Sequence, residues 1–202
     1  MGSKQRGLKM IIRKLFKFEN AHVVRGCSTV RCRSSLHGHS YKVELLFESD
    51  FLDNGQMVYD FGLMKQNMKA LIDSFDHAVA LWNEDDNDFI NDMKKYSQRW
   101  VTLPVSPSCE QFSRVIFIIV DKLLKQTNAI NGEKNVKINS IIVHETETGY
   151  AQCFKEDAYS KQMGLIDLET IVFSEAIKEE WGDSELFEKL KSGESFFNPC
   201  SV

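Results

Sequence analysis

Alternation of apolar and polar residues predicts two β-strands near the start of the chain. From Ile11 to His22, every second side chain falls on one face, and that face carries Phe16, Phe18, Asn20 and His22. A second strand is predicted from about His37 to Phe47, with one face made of His37, His39, Tyr41, Val43, Leu45 and Phe47. Residues 23–36 between them are mostly polar and turn-rich, so we expect a loop there.

Two later stretches show the 3.6-residue periodicity of amphipathic helices. The first follows Asp60, a favoured N-cap residue, and its apolar stripe consists of Met64, Met68, Leu71, Ile72 and Phe75. The second begins after Pro107, where Ser108 and Gln111 form a capping-box pattern ahead of a long apolar run. A short strand at 57–59 is predicted just before the first of these helices.

The remaining residues of the core predict further strands and one polar insertion. An alternating strand runs from Val136 to Val143, and another strand is predicted at 149–154. The stretch 83–104 is polar, with a helical turn near 89–96. Strands and helices therefore occur in separate runs along the chain, which indicates an α+β layer.

The pattern changes after residue 154, where a C-terminal extension is expected to pack on the core. A strand at 166–173 is predicted there, followed by short helices at 174–181 and 184–191. We therefore divide the chain into three parts: a lead at 1–9 that is either foreign to the natural protein or disordered, a core domain at 10–153 and the extension at 154–202.

Composition and charge describe an ordinary globular protein. Apolar residues make up 43% of the 202 residues, and the formal charge of −4 gives no electrostatic reason to expect nucleic-acid binding. No apolar run approaches the roughly 18–20 residues of a membrane span, and residues 1–9 lack the apolar core of a secretory signal. Five cysteines without paired spacing fit reduced thiols, so a cytoplasmic location is expected.

The five histidines of the chain are unevenly distributed. His22, His37 and His39 fall within eighteen residues, and two of them are separated by a single glycine on one strand. Histidines at i and i+2 project from the same face, with Cα atoms about 6.5–7 Å apart. The pattern predicts a three-histidine zinc site with an open fourth position. The alternative is that each imidazole is an ordinary hydrogen-bonded group of the core.

Cys32 is the candidate base or nucleophile beside this site. The guanidinium groups of Arg31 and Arg33 and a nearby metal would favour its thiolate. Cys27 in the same loop is a competing candidate, whereas Cys109, Cys153 and Cys200 are expected to be packing or incidental residues.

Asp76-His77 could act as a carboxylate that orients a general acid/base imidazole. The alternative is a histidine favoured by the helix dipole at a C-terminus, next to a solvent-facing aspartate.

Two glutamates are candidates for contact with a ligand. Glu145 closes an apolar strand, where a carboxylate can accept paired N–H donors from an amino-pyrimidinone ring. Glu110 lies in the first turn of the second long helix, where the dipole alone would favour it on the surface. His144 faces the opposite way from Glu145, and we assign it no role.

Five short motifs occur together in the order of a known family. The chain carries Phe18-Glu19-Asn20-Ala21-His22, Cys32 separated by four residues from His37-Gly38-His39, Asp76-His77, Pro107-Ser108-Cys109-Glu110 and Glu145-Thr146. On these motifs the chain resembles the 6-pyruvoyl-tetrahydropterin synthase and 6-carboxy-tetrahydropterin synthase family. The resemblance spans roughly Met10 to Cys153.

The resemblance implies the T-fold, or tunnelling fold, in which a four-stranded antiparallel sheet carries two helices on one face. Similar proteins form trimers whose sheets close into a barrel, and two trimers stack into a hexamer with active sites between subunits. The resemblance therefore implies a homo-oligomer, with a hexamer as the expected assembly.

Matching positions imply a role for each candidate residue. His22, His37 and His39 match the zinc ligands, and Cys32 matches the proton-abstracting cysteine. His77 matches the relay histidine with Asp76 beside it. Glu145 matches the carboxylate that anchors the pterin and couples to the relay, and Glu110 falls in the segment lining the pterin pocket.

The implied activity is a zinc-dependent lyase reaction on 7,8-dihydroneopterin triphosphate. The carboxy-forming branch yields 6-carboxytetrahydropterin, acetaldehyde and triphosphate, and supplies a precursor of the 7-deazapurine of queuosine. The four-residue gap between Cys32 and His37 looks closer to this branch, although similar carboxy-forming proteins usually have three. A 6-pyruvoyl-tetrahydropterin synthase and a non-catalytic zinc-binding oligomeric module are the alternatives.

Overall fold

The structure is a computed structural model that describes residues 9–197. Nearly all of the predicted lead at 1–9 and Cys200 therefore lie outside the described residues. The strands are β1 (Met10–His22), β2 (His37–Ser49), β3 (Ala78–Trp82), β4 (Trp100–Leu103), β5 (Thr127–Asn128), β6 (Lys137–His144), β7 (Tyr150–Cys153), β8 (Val172–Phe173) and β9 (Phe196–Phe197). The α-helices are α1 (Val30–Ser34), α2 (Asn67–Asp73), α3 (Asn87–Tyr96), α4 (Cys109–Gln126), α5 (Lys155–Ala158), α6 (Glu175–Lys178) and α7 (Leu186–Ser192). Three 3₁₀-helices lie at Leu63–Lys65, Lys161–Met163 and Leu168–Thr170.

One sheet organises the molecule, with its strands in the order β7-β6-β2-β1-β3-β4-β8. The strands β7, β6, β2 and β1 are antiparallel neighbours, as the alternation and the resemblance predicted. The longest ladder joins β1 to β2 and ends with His22 opposite His37. The mixed α+β class is confirmed, and the histidines lie at one end of this ladder.

The prediction of a four-stranded sheet was wrong, because the sheet has seven strands within residues 9–197. β3 pairs in parallel with β1 at Asn20 and Ala21, β4 pairs in parallel with β3, and β8 closes the edge. Parallel neighbours need a crossover connection, and α3 lies in the connection from β3 to β4. The segment 83–104, expected to hold only a helical turn, therefore contains a ten-residue helix and a strand.

The helix predicted after Asp60 begins later than the sequence suggested. The Asp60 carboxylate accepts a hydrogen bond from the Gly62 amide at 2.7 Å and closes a local turn, and the α-helix starts only at Asn67. The strand predicted at 57–59 is also absent, since these residues form a bend. The apolar stripe was nevertheless assigned correctly, because Met64, Met68, Leu71, Ile72 and Phe75 are all buried.

The helix α4 packs across the apolar face of the sheet. Ser108 caps its N-terminus by accepting a hydrogen bond from the Gln111 amide at 3.3 Å. The Gln111 side chain donates to the Met163 carbonyl instead of engaging Ser108, so only half of the predicted capping box forms. All residues of the apolar run 115–120 are buried. Aromatic rings fill the space between helix and sheet, with Phe112 at 5.2 Å from Tyr41 and 6.1 Å from Phe18 between ring centroids.

The C-terminal extension packs against α4 and against the sheet edge. Only Val172–Phe173 forms a strand within the predicted 166–173, because Leu168–Thr170 is a 3₁₀-helix. Both predicted helices are present and are shorter than expected, at Glu175–Lys178 and Leu186–Ser192. Within residues 9–197, no helix combines the length and the apolar character needed to cross a membrane.

Candidate metal centre and active site

The histidines His22, His37 and His39 meet at the end of the β1–β2 ladder. The register places His22 opposite His37 and Asn20 opposite His39, so all three imidazoles share the helix-facing side of the sheet. Ring centroids lie 4.6 Å apart for His22 and His37, and 5.2–5.3 Å apart for the pairs that include His39. One nitrogen from each ring lies within 4.8 Å of the other two, close enough for one metal ion.

Backbone carbonyls fix the tautomers of two of these rings. The Nδ1 of His22 lies 2.6 Å from the Pro107 carbonyl oxygen, and the Nδ1 of His37 lies 2.9 Å from that of Ser35. A carbonyl oxygen only accepts, so each Nδ1 carries the proton and each Nε2 keeps its lone pair. Among the described residues the buried Nε2 of His22 has no hydrogen-bond partner. An unpaired buried acceptor of this kind fits a metal ligand.

The environment of His22 keeps its imidazole neutral. Its side chain is fully buried, and burial lowers its pKa to about 4, with the neighbouring His37 and His39 adding to the effect. The hydrogen bond to Pro107 opposes this shift but does not reverse it. Neutral imidazole is the form that binds metals, so the site is ready for a metal ion near pH 7.

Glu145, the residue that follows β6, lies beside the histidines. Its Oε1 is 3.8 Å from the Nε2 of His22 and accepts a hydrogen bond from the Tyr41 hydroxyl at 3.2 Å. Burial, and then the charge of Glu145, raise the pKa of Tyr41, so its phenol stays protonated and acts as a donor. Sequence analysis missed Tyr41 as a site residue, although it follows His39 by two positions on the same strand face.

Asp76 and His77 form a hydrogen-bonded pair in a tight turn. The Nδ1 of His77 lies 2.9 Å from the Asp76 carboxylate, which also accepts from the Glu19 amide at 2.7 Å. Burial alone would raise the pKa of Asp76, but the bonds from Glu19 and His77 lower it below its usual range. His77 adopts φ of 51°, and its amide donates to the Glu19 carbonyl at 2.7 Å. The adjacency seen in the sequence is therefore a real contact.

The Asp76–His77 pair makes no hydrogen bond or ion pair with the three clustered histidines within the described residues. The His77 side chain is 73% exposed and lines a cleft of about 380 Å³ with Glu19, Ser40 and His39. Alternation along β1 puts Glu19 and His22 on opposite faces. Among the described residues, the side chain of Glu145 pairs with Tyr41 and His22 and does not pair with His77. One chain alone therefore does not bring the predicted relay to the predicted anchor.

The two candidate cysteines lie in the Cys32 loop, which we define as residues 23–36. Cys32 lies on α1, a single helical turn, and its carbonyl oxygen accepts from the Val24 amide at 3.1 Å. The Cys27 thiol donates to the Thr29 carbonyl at 3.3 Å, whereas the Cys32 thiol has no hydrogen bond among the described residues. The Cys32 sulfur is not part of the cluster of close metal-ligand atoms.

The first turn of α4 contributes an exposed and a buried residue. Glu110 lies exposed in the first turn of α4. The Cys109 thiol donates to the Val143 carbonyl at 3.1 Å, and burial together with the Glu145 charge raises its pKa to about 12. Cys109 and Cys153 are both buried, as predicted for packing residues.

The fold and the histidine cluster define a mixed α+β protein with a candidate metal centre at the end of its longest ladder. The family model for 6-pyruvoyl tetrahydropterin synthase matches residues 11–156. The chain belongs to this family, and the resemblance inferred from the five motifs is confirmed.

Relatives of the chain carry the name of the carboxy-forming enzyme. A Helicobacter pylori protein named 6-carboxy-5,6,7,8-tetrahydropterin synthase is 37% identical over 186 residues, covering 92% of this chain and 93% of its own. An Aquifex aeolicus protein of the same name is 28% identical over 169 residues, covering 74% of this chain and 100% of its own. Because the Helicobacter match covers 92% of this chain, it must include most of the extension at 154–202. The Aquifex match covers 74% and could leave the extension out.

Solved structures share the fold at low sequence identity. An uncharacterised protein from Wolinella succinogenes has a TM-score of 0.60 and 21% identity, covering 74% of this chain and 99% of its own. A Caenorhabditis elegans 6-pyruvoyl tetrahydropterin synthase has a TM-score of 0.51 and 16% identity, covering 74% and 98%. At these identities the similarity shows the fold alone.

Proposed function

We propose that the protein is a zinc-dependent 6-carboxytetrahydropterin synthase acting on 7,8-dihydroneopterin triphosphate. One observation carries the proposal: His22, His37 and His39 converge beside Glu145, with an unpaired buried Nε2 on His22. The 37% identity to a relative named for this activity supports it over most of the chain. The product would be a precursor of the 7-deazapurine of queuosine, made in the cytoplasm.

Zinc is the metal we assign to the three histidines, because all the ligands are imidazoles and no oxygen ligand joins the cluster in residues 9–197. When bound, zinc supplies Lewis acidity that polarises the hydroxyl groups of the substrate side chain and acidifies the adjacent C–H bonds.

Glu145 is proposed to bind the pterin ring. Its side chain is 30% exposed, and a carboxylate can accept two parallel N–H donors from an amino-pyrimidinone. The Tyr41 hydroxyl donates to one of its oxygens and so fixes the direction of the carboxylate. Glu110, exposed at the N-terminus of α4, is proposed to line the same pocket.

Cys32 is proposed to remove the proton from the substrate, with Cys27 as the competing candidate. The Cys27 thiol donates a hydrogen bond to the Thr29 carbonyl, while the Cys32 thiol makes no hydrogen bond among the described residues. An unengaged thiol is more available as a base, so the contacts favour Cys32.

The Asp76–His77 pair is proposed to return protons to the substrate, acting in the site of a second copy of the chain. The lack of any contact between His77 and Glu145 among the described residues supports a site shared between subunits. Strand edges support the same assembly, since β3 covers β1 only at Asn20 and Ala21 within the described residues. The uncovered edges of β1 and β7 need partners, and a trimeric barrel stacked as a hexamer would supply them.

Product analysis tests the proposed reaction. Zinc-loaded protein incubated with 7,8-dihydroneopterin triphosphate should release acetaldehyde and triphosphate in equal amounts with 6-carboxytetrahydropterin, measured by mass spectrometry and carbonyl trapping. Formation of 6-pyruvoyltetrahydropterin without acetaldehyde would support the alternative synthase instead. No turnover of any kind would favour a zinc-binding module without catalysis.

A further inference from the structure

The guanidinium group of Arg25 connects the Cys32 loop to a distant part of the chain. Its Nε lies 3.1 and 3.0 Å from the two carboxylate oxygens of Asp85, sixty residues away. The same guanidinium lies 4.9 Å from the centroid of the Phe89 ring. Asp85 and Phe89 belong to the α3 segment, which we define as residues 83–99 and whose role the sequence does not reveal.

The carboxylate of Asp85 is held in place by its own backbone surroundings. It accepts a hydrogen bond from the Asp86 amide at 2.8 Å, and the Asp85 amide donates to the Trp82 carbonyl at 3.1 Å. Its side chain is only 8% exposed. Asp86 in turn caps α3 by accepting from the Asp88 and Phe89 amides. The acceptor for Arg25 is therefore fixed by the start of a helix.

Arg25 also binds the backbone close to the two thiols of the loop. Its Nη1 donates to the Arg33 carbonyl at 3.0 Å, next in the chain to Cys32. The Arg33 side chain donates to the carbonyls of Ser28 at 2.9 Å and Cys27 at 3.4 Å. These contacts tie both ends of the five-residue helix α1 to a single pair of arginines.

We propose that Asp85 and Arg25 are positioning residues that fix the backbone of the Cys32 loop and, through it, the position of the Cys32 thiol. This inference rests on the proposed function, in which Cys32 is the base. The loop that carries Cys32 contains only one helical turn and few backbone hydrogen bonds of its own, so its geometry depends on an external support. A base displaced by about 1 Å can lose a hundredfold in rate, so such a support has a measurable effect on catalysis.

Asp85→Asn is the most informative variant. The asparagine keeps an oxygen acceptor for the Asp86 amide, so the start of α3 is retained, while the charge and the paired acceptors for Arg25 are lost. Arg25→Gln removes the other partner. Glu84→Gln is the matched control, because Glu84 is an exposed carboxylate in the same turn without a hydrogen bond among the described residues.

Two measurements should be made on each variant. Hydrogen–deuterium exchange should be faster in peptides covering residues 23–36 of Asp85→Asn and Arg25→Gln, and unchanged in Glu84→Gln. With 7,8-dihydroneopterin triphosphate, kcat should fall roughly ten- to a hundredfold with KM nearly unchanged, since the pterin contact at Glu145 is untouched. The double variant should lose no more than the worse single variant, because the two residues act as one unit.

The outcomes separate this inference from the proposed function. Unchanged hydrogen–deuterium exchange in residues 23–36 of Asp85→Asn would show that the contact between Arg25 and Asp85 does not support the Cys32 loop, whatever the activity. Faster exchange with an unchanged kcat would overturn its role in catalysis. A wild-type protein without turnover would overturn the proposed function and the catalytic role together, while the exchange data would still establish or refute the support.

Discussion

Replacing Cys32 with alanine is expected to lower kcat about 10²- to 10⁴-fold, the range that a general base contributes. Zinc content and the far-ultraviolet circular dichroism spectrum should not change, because the Cys32 sulfur is neither buried in the core nor part of the metal-ligand cluster. The measurement is steady-state turnover of 7,8-dihydroneopterin triphosphate.

Cys27→Ala is the matched control for this prediction. It removes the other thiol of the same loop, which donates to the Thr29 carbonyl, and it should change kcat less than about tenfold. The reverse ranking, with Cys27→Ala inactive and Cys32→Ala active, would assign the base to Cys27. Normal turnover in both single variants would remove the loop thiols from the mechanism.

Replacing Arg114 with methionine is expected to lower the free energy of unfolding by about 3–5 kcal/mol. Arg114 is buried in α4, and its guanidinium donates to the carbonyl oxygens of five residues of the extension: Asp157, Ala158, Ser160, Met163 and Gly164. Removing the buried guanidinium deletes five hydrogen bonds to the extension at once, which is more costly than losing one exposed contact. Equilibrium unfolding in urea, followed by tryptophan fluorescence, measures the loss.

Arg13→Met provides the comparison for this prediction. Arg13 pairs with the Glu44 carboxylate at 2.9 Å, but its side chain is 62% exposed. An exposed ion pair contributes about 0–1 kcal/mol, so this variant should unfold close to the wild type. Equal losses in both variants would contradict the view that Arg114 anchors the extension to the core.

Local sequence patterns predicted the part of the site that lies on two neighbouring strands. His22, His37 and His39 are close in sequence, and the two-residue period of a strand was sufficient to place their side chains on one face. The burial of the α4 segment followed in the same way from its apolar run. These predictions succeeded because each depends on a contact set by short-range periodicity.

The additional strands could not be recognised from such patterns. β3 and β4 have five and four residues, too few for an alternation to be distinguished from a short buried helix or a loop. α3 buries only Ile90, so its apolar signal is weak. The parallel pairing of these strands depends on long-range contacts, and the prediction of four strands failed for that reason.

Contacts between distant residues were also invisible in the sequence. The bond from Arg25 to Asp85 and the bonds from Arg114 to the extension join residues that are more than forty positions apart. Tyr41 was placed on the correct face, but its bond to Glu145 required the register between β2 and β6 to be known. Polar partners across such separations leave no periodic signal.

Zinc content measured by inductively coupled plasma mass spectrometry tests most directly whether the three histidines form the metal centre. The wild-type protein should hold about one zinc ion per chain, and His39→Ala should retain less than about a tenth of it, since two imidazoles hold zinc weakly. His144→Ala, which removes a histidine bonded to Glu44 outside the cluster, should keep the full content. A wild-type protein that binds no zinc, or a His39→Ala protein that keeps one ion per chain, would contradict the account.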